Sequence, residues 1–70
     1  MRFNNLEAEF ARMGLSVEDV ASKLGFAKAL IYNRLSGKTN WTLGDMLKIQ
    51  KFINDGTQSH YTLDYLFAKG

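Results

Sequence analysis

Lys28, Ala29, Tyr32 and Asn33 recur at the three- and four-residue spacing that lines up side chains on one face of a helix. With Ala27 before them they form a row suited to hydrogen bonding and apolar contact with the edges of bases. An asparagine amide bonds adenine N6 and N7, a lysine reaches guanine O6 and N7 or a phosphate, and an alanine methyl packs on the thymine methyl. The row stands in a stretch free of acid: between Val20 and Gly44 the chain carries Lys23, Lys28, Arg34 and Lys38 and no Asp or Glu. Other chemistries find fewer residues. His60 is the only histidine and there is no cysteine, so a metal centre, a thiol nucleophile or a histidine-based triad lacks its partners. Gly37-Lys38-Thr39 imitates the end of a phosphate loop, but Tyr32 stands where that loop needs its first glycine. Asn40-Trp41-Thr42 matches a glycosylation sequon, which has meaning only in a secreted chain. No catalytic, metal-binding or cofactor-binding residue is expected, and the chain does not read as an enzyme.

The elements that must hold the row are short helices. Apolar residues recur at threes and fours, no segment alternates as a strand would, and proline is absent, which predicts an all-α fold. Ser16 with Asp19, and Thr42 with Asp45, have capping-box spacing, and Thr62 offers a third cap. Each follows an apolar residue placed to pack five positions on: Leu15 on Val20, Trp41 on Met46, Tyr61 on Leu66. Gly14, Gly25 and Asn54-Asp55-Gly56 fall where helices should stop. The expected helices are Asn5–Met13, Val17–Leu24, Lys28–Ser36, Leu43–Ile53 and Leu63–Phe67. Their core stripes are Phe3, Leu6, Phe10 and Met13; Val20, Ala21 and Leu24; Ile31 and Leu35; Leu43, Met46, Leu47, Ile49, Phe52 and Ile53; and Leu63, Leu66 and Phe67. The loop Gly56–Tyr61 is expected to be the mobile stretch. The interval Ser16 to Asn40, with two helices about the Gly25 turn, reads as a helix-turn-helix.

Seventy residues without cysteine bound the rest. One domain, 1–70, is expected, near the lower size limit for a self-sufficient core, in a reducing compartment. Met1-Arg2-Phe3-Asn4-Asn5 lacks the apolar core of a signal peptide and no apolar run approaches the roughly 20 residues of a membrane span, so a cytoplasmic protein is expected. The net charge of +2 is too small to imply nucleic acid, and the inference rests on where the charge lies.

Gly14 through Gly25, then Ile31, then Ser36-Gly37-Lys38-Thr39-Asn40, and finally Thr62 through Phe67 resemble the lambda-repressor-like, Cro/CI-type helix-turn-helix family along nearly the whole chain. The resemblance implies a compact five-helix DNA-binding domain, like short phage or prophage Cro-like regulators, whose second and third helices read operator DNA. It implies Ala27, Lys28, Ala29, Tyr32 and Asn33 as base-reading candidates, and Ser16, Val17, Lys38, Thr39 and Asn40 as phosphate-side candidates. Ala21 matches the small residue where the two helices cross, and Ile31 the apolar anchor of the third helix. Val17 departs from the glutamine usual at the first position of the second helix, leaving only its backbone N–H to serve. Ala27 departs from the usual Ser or Thr cap, and Phe10 and Leu35 stand where many relatives carry an arginine and a glutamate in an ion pair.

The expected function is therefore transcriptional regulation, by repression or redirection, through occupancy of double-stranded operator DNA, by a homodimer on a near-palindromic site. The alternative is a modulator or antirepressor that keeps the scaffold but docks on another repressor, through a patch of Val17, Ala27, Ala29, Leu30 and Tyr32. No membrane partner is expected.

Overall fold

The computed structural model describes residues 3–69; Met1, Arg2 and Gly70 of the expected domain, and with them part of the N-terminal reading, lie outside the described residues. Among these residues the chain is all-helical: α1 (Asn4–Arg12), α2 (Val17–Leu24), α3 (Lys28–Leu35), α4 (Leu43–Thr57) and α5 (Leu63–Leu66). Four of the five follow the sequence boundaries to within a residue at each end. Among the described residues, no helix is long and apolar enough to cross a membrane.

The helix ends follow from local hydrogen bonding. The Asp19 N–H donates to Ser16 Oγ at 3.1 Å and the Ser16 N–H donates to Asp19 Oδ2 at 3.0 Å, a complete capping box at the start of α2. The hydrogen bond from the Ser16 N–H, and after it the Ser16 hydroxyl, hold the Asp19 carboxyl below its ordinary range. At α4 only half of the expected box forms. The Asp45 N–H donates to Thr42 Oγ1 at 3.3 Å, but the Asp45 carboxylate turns away to the Arg34 guanidinium, which offers it a charged donor. At α5 the Tyr65 N–H donates to Thr62 Oγ1.

The greatest departure lies at the end of α4, which runs four residues past the expected Ile53 and stops only at Gln58, the one non-glycine residue at positive φ (+54°) among the described residues. Gly56 is inside the helix. Its missing Cβ would stand 2.5 Å from Met13 Cε, so this glycine admits a side chain from the end of α1 and does not terminate a helix. Asn54 spends its side chain on Tyr61, accepting the Tyr61 N–H at Oδ1 (2.9 Å) and donating to the Tyr61 carbonyl (3.2 Å), to which Gln50 also donates. The loop expected to be mobile is thus short and clamped at its far end.

Phe3, Leu6, Phe10, Val20, Ala21, Ile31, Leu35, Ile49, Ile53 and Leu66 form one buried cluster. Phe10 and Leu35, which stand where the resembled family carries an ion pair, both lie in it. Leu43 and Leu47, expected in the core, are instead 60% and 46% exposed. Ile49 and Ile53, four residues apart, set the inward face of α4, and Leu47, two residues before Ile49, lies about 200° around the helix from it. The interior holds one acid that the apolar pattern does not announce. Glu9 is fully buried, accepting from the Tyr65 hydroxyl at 2.9 Å and pairing with Arg12, while its Oε1 has no partner. That carboxylate raises the affinity of Arg12 and of the Tyr65 hydroxyl for their protons.

Trp41 takes part in contacts beyond the expected one with Met46. It lies edge-on to Phe3 (centroids 6.0 Å) and Phe67 (5.1 Å), in an aromatic group that joins the start of α1, the α3–α4 loop and the residue after α5. Aromatic edge-to-face pairing at these distances is favourable beyond burial alone.

Two stability measurements check this packing. Phe10→Ala should cost about 3–5 kcal/mol, a large part of what a domain this small has, and chemical denaturation should show it. Gln58→Gly should raise stability by about 0.5 kcal/mol, because glycine takes the left-handed conformation freely.

Candidate nucleic-acid interface

α2 and α3 meet through one turn. Gly25 adopts φ +76°, the left-handed conformation that an L side chain resists, and this lets the Phe26 N–H reach back to the Ala21 carbonyl at 2.8 Å. Ala21 is itself buried and small, and α2 and α3 pack against each other. Ile31 and Leu35, four residues apart, are buried and pin α3 to the core. The opposite side of α3 therefore faces outward: Lys28, Ala29 and Tyr32 are exposed, and Asn33 is half-buried at the margin.

The remaining candidates divide into groups. Ala27 is exposed at the N-cap of α3 and supplies no side-chain cap, as its chemistry requires. Lys38, Thr39 and Asn40 are all exposed in the loop after α3. That loop is folded onto Asn33, whose carbonyl accepts the N–H groups of Lys38 (2.9 Å) and Thr39 (3.3 Å) and the Ser36 hydroxyl (3.1 Å). The base-reading and phosphate-side candidates are thus rigidly connected through one backbone oxygen. Ser16 is exposed but its hydroxyl is engaged in the α2 cap, and Val17 is half-buried against the core, so neither side chain is presented as Lys38 is.

The electrostatics differ from what the linear sequence suggests. The acid-free window from Val20 to Gly44 is met in space by two acids from just outside it. Glu18, at the second position of α2, accepts the Tyr32 hydroxyl at Oε1 (3.0 Å) and lies 3.7 Å from Lys28 Nζ at Oε2. Hydrogen bonding to this carboxylate, then burial, raises the Tyr32 hydroxyl above its ordinary value, so it remains a donor. Asp45 takes Arg34, whose side chain is only 11% exposed and whose guanidinium stands 5.7 Å from the Trp41 ring centre. Arg34 therefore braces α3 against α4 and is withdrawn from the basic set. Lys48, from α4, lies over the Phe26 ring at 5.0 Å.

Sequence reasoning missed Glu18 and Asp45 as members of this surface because it weighed charge along the chain. A signal was present: Glu18 and Lys28 begin two helices that a helix-turn-helix brings together at an angle, so opposite charges at those starts are potential neighbours. Two surface concavities lie elsewhere, around the end of α4. One of about 530 Å³ opens at the α4–α5 junction beside Gln50, Asn54, His60 and Asp64. Among the described residues, no three His, Cys, Asp or Glu side chains are grouped to hold a metal ion. Comparison of the chain with protein-family models, curated proteins and solved structures finds no match.

The Arg34–Asp45 pair gives a pH prediction. The hydrogen bond from Arg34 is the first cause holding the Asp45 carboxyl below its ordinary value. A carboxyl depressed on folding stabilises the protein above its unfolded pKa, and that contribution is lost as pH falls through the lower folded value. Asp45→Asn should thus cost about 1–2 kcal/mol at pH 7. The difference from wild type should shrink below about pH 4, as followed by denaturation at a series of pH values.

Proposed function

We propose that this protein is a sequence-specific DNA-binding regulator of the lambda-repressor-like, Cro/CI helix-turn-helix type. In this reading it acts by occupying operator DNA with α3 in the major groove. The observation that carries the reading is the two-sided character of α3: Ile31 and Leu35 fix one side in the core, while Lys28, Ala29 and Tyr32 project from the other, beside the exposed loop Lys38-Thr39-Asn40. A helix held so firmly, with a polar row outward, is preorganised to enter a groove about 12 Å wide. The adjoining loop supplies Lys38, Thr39 and Asn40 to neighbouring phosphates, and those contacts set register while the helix row sets sequence. One short helix reads few base pairs, so a homodimer on a two-fold site fits the reading. No chemistry is asked of the protein beyond binding.

A second reading, docking on another repressor, is favoured by one observation: Glu18 offsets Lys28 and engages Tyr32, while Ala27 and Ala29 are exposed beside them. Salt separates the two. Phosphate binding releases counterions and weakens steeply as salt rises, whereas an apolar protein interface is nearly indifferent to it.

The test is enrichment of duplexes from a random-sequence pool by the pure protein, followed by affinity measurements over a range of salt. An enriched sequence bound with a steep salt dependence is expected. Failure to enrich any sequence would turn the assignment to the protein-docking reading. Within the enriched site, Asn33→Ala should lose about 1–3 kcal/mol of discrimination at particular base pairs. Lys38→Ala should weaken all sequences alike and flatten the salt slope by about one. Equal losses on enriched and random duplexes for Asn33→Ala would remove Asn33 from the reading row.

A further inference from the structure

Leu43, Leu47 and Tyr32 are the large apolar side chains left exposed among the described residues. Tyr32 belongs to the outward row of α3, but the two leucines have no such place. At 100° per residue Leu43, Leu47, Gln50 and Asn54 fall within about 60° of arc, so one face of α4 carries all four. That face changes character along its length. Its first half carries the exposed leucines, and in its second half Gln50 and Asn54, with Leu63 and Asp64 from α5, line the concavity of about 530 Å³. The amides of Gln50 and Asn54 are already engaged with the Tyr61 backbone, so an apolar group laid over them strands few hydrogen bonds.

We propose that this face of α4 joins two copies of the chain, with the helices antiparallel about a two-fold axis and Leu43 and Leu47 of each copy seated in the concavity of the other. Leu43 and Leu47 precede a point between Lys48 and Ile49 by as many positions as Asn54 and Gln50 follow it. An axis through that point sets Leu43 against the partner's Asn54 and Leu47 against the partner's Gln50. Protrusion then meets hollow twice, as a self-complementary contact requires. The charges agree. Asp64, exposed on the rim, comes beside the first turn of the second α4, where a helix start favours an acid, and Lys51 and Asp55 already pair with each other at 3.0 Å. Gly44 stands in that first turn outside the left-handed region, and a Cβ there would meet nothing within 4 Å, so neither backbone conformation nor the chain's own interior calls for glycine. The rim of a second copy, drawn against the turn, does. A stable complex buries about 800 Å² per partner, roughly a fifth of this chain's 4243 Å², and one face of a helix about 22 Å long supplies less. Association is therefore weak in the free protein and completed where two copies are held side by side. The face begins three residues after Asn40, so on a two-fold duplex the join lies close in sequence to the phosphate-side loop. In that last step the proposal rests on the DNA-binding reading; the association itself does not.

The test needs no DNA. Sedimentation equilibrium of the wild type from about 1 µM to about 1 mM should show a monomer passing into a dimer. Leu47→Lys, at an exposed position, should melt as the wild type does but raise the dissociation constant about tenfold or more, because the ammonium would be buried in the contact. Gly44→Ala should act oppositely on fold and assembly, raising the melting temperature of dilute protein by roughly 2–4 °C while weakening the dimer. Cross-linking checks the register. The chain has no cysteine, so introduced thiols report alone. Leu43→Cys mixed with Asp64→Cys under oxidation should link the two variants to each other in preference to themselves, because the two copies of position 43 lie about 16 Å apart along antiparallel helices, beyond disulfide reach. A wild type monomeric throughout, a Leu47→Lys variant that associates as the wild type does, or variants that cross-link only with themselves would overturn the surface and leave the DNA-binding reading standing. Association with these signatures in a protein that enriches no duplex would overturn that reading and leave the surface standing.

Discussion

The Ala21 carbonyl accepts the N–H of Phe26 at 2.8 Å, and this bond can close only because Gly25, between them, takes a left-handed conformation. The reversal decides the angle at which α3 leaves α2 and hence which of its side chains are buried. With α3 so directed, Ile31 and Leu35 fall into the core, and Lys28, Ala29 and Tyr32 are left outside by the helical period alone. A side chain at Gly25 would meet no neighbouring atom, so the demand for glycine is conformational and not a matter of space. The turn is local in sequence, yet it decides which side chains of α3 face outward.

Local signals were legible in the sequence, and long-range ones were not. The Ser16–Asp19 box, the Gly14 and Gly25 ends and the buried periodicity of α1 to α3 depend on residues within about five positions of one another, and the structure agrees with them. The errors arise where a distant partner decides. Asp45 leaves its own cap for Arg34, 11 residues earlier. Gly56 is glycine because Met13 arrives from α1, and α4 continues past it. Leu43 and Leu47 carry the right composition for a core stripe, but the inward face of α4 is already set by Ile49 and Ile53. Glu9 lies among apolar residues on α1, and only Tyr65, 56 positions away, shows how a carboxylate is accommodated there. For the candidate interface, the outward positions of Lys28, Ala29 and Tyr32 were readable from periodicity, while their electrostatic setting was not.

That setting departs from a plain basic patch. A count along the chain gives four cations and no anion between Val20 and Gly44. Folding adds Glu18 on one side and Asp45 on the other, and they act differently. Asp45 meets an arginine that is almost buried, so this pair fixes the base of α3. Glu18 meets side chains that stand in water, so it changes the charge and hydrogen bonding of the exposed face of α3. One acid serves structure and the other serves the surface, a distinction set by solvent exposure.

The arrangement around Trp41 has a practical consequence. It is the only tryptophan in the chain, so its emission reports on a single place. That place touches Phe3, Phe67 and the guanidinium of Arg34, and it directly follows Asn40 in the loop after α3. The ring lies among two aromatic neighbours and one charged group, so a change in either contact alters the emission. Intrinsic fluorescence thus gives an unlabelled optical signal for two events at once: the closing of α1 against the residue after α5, and any pull exerted on the loop from Lys38 to Asn40.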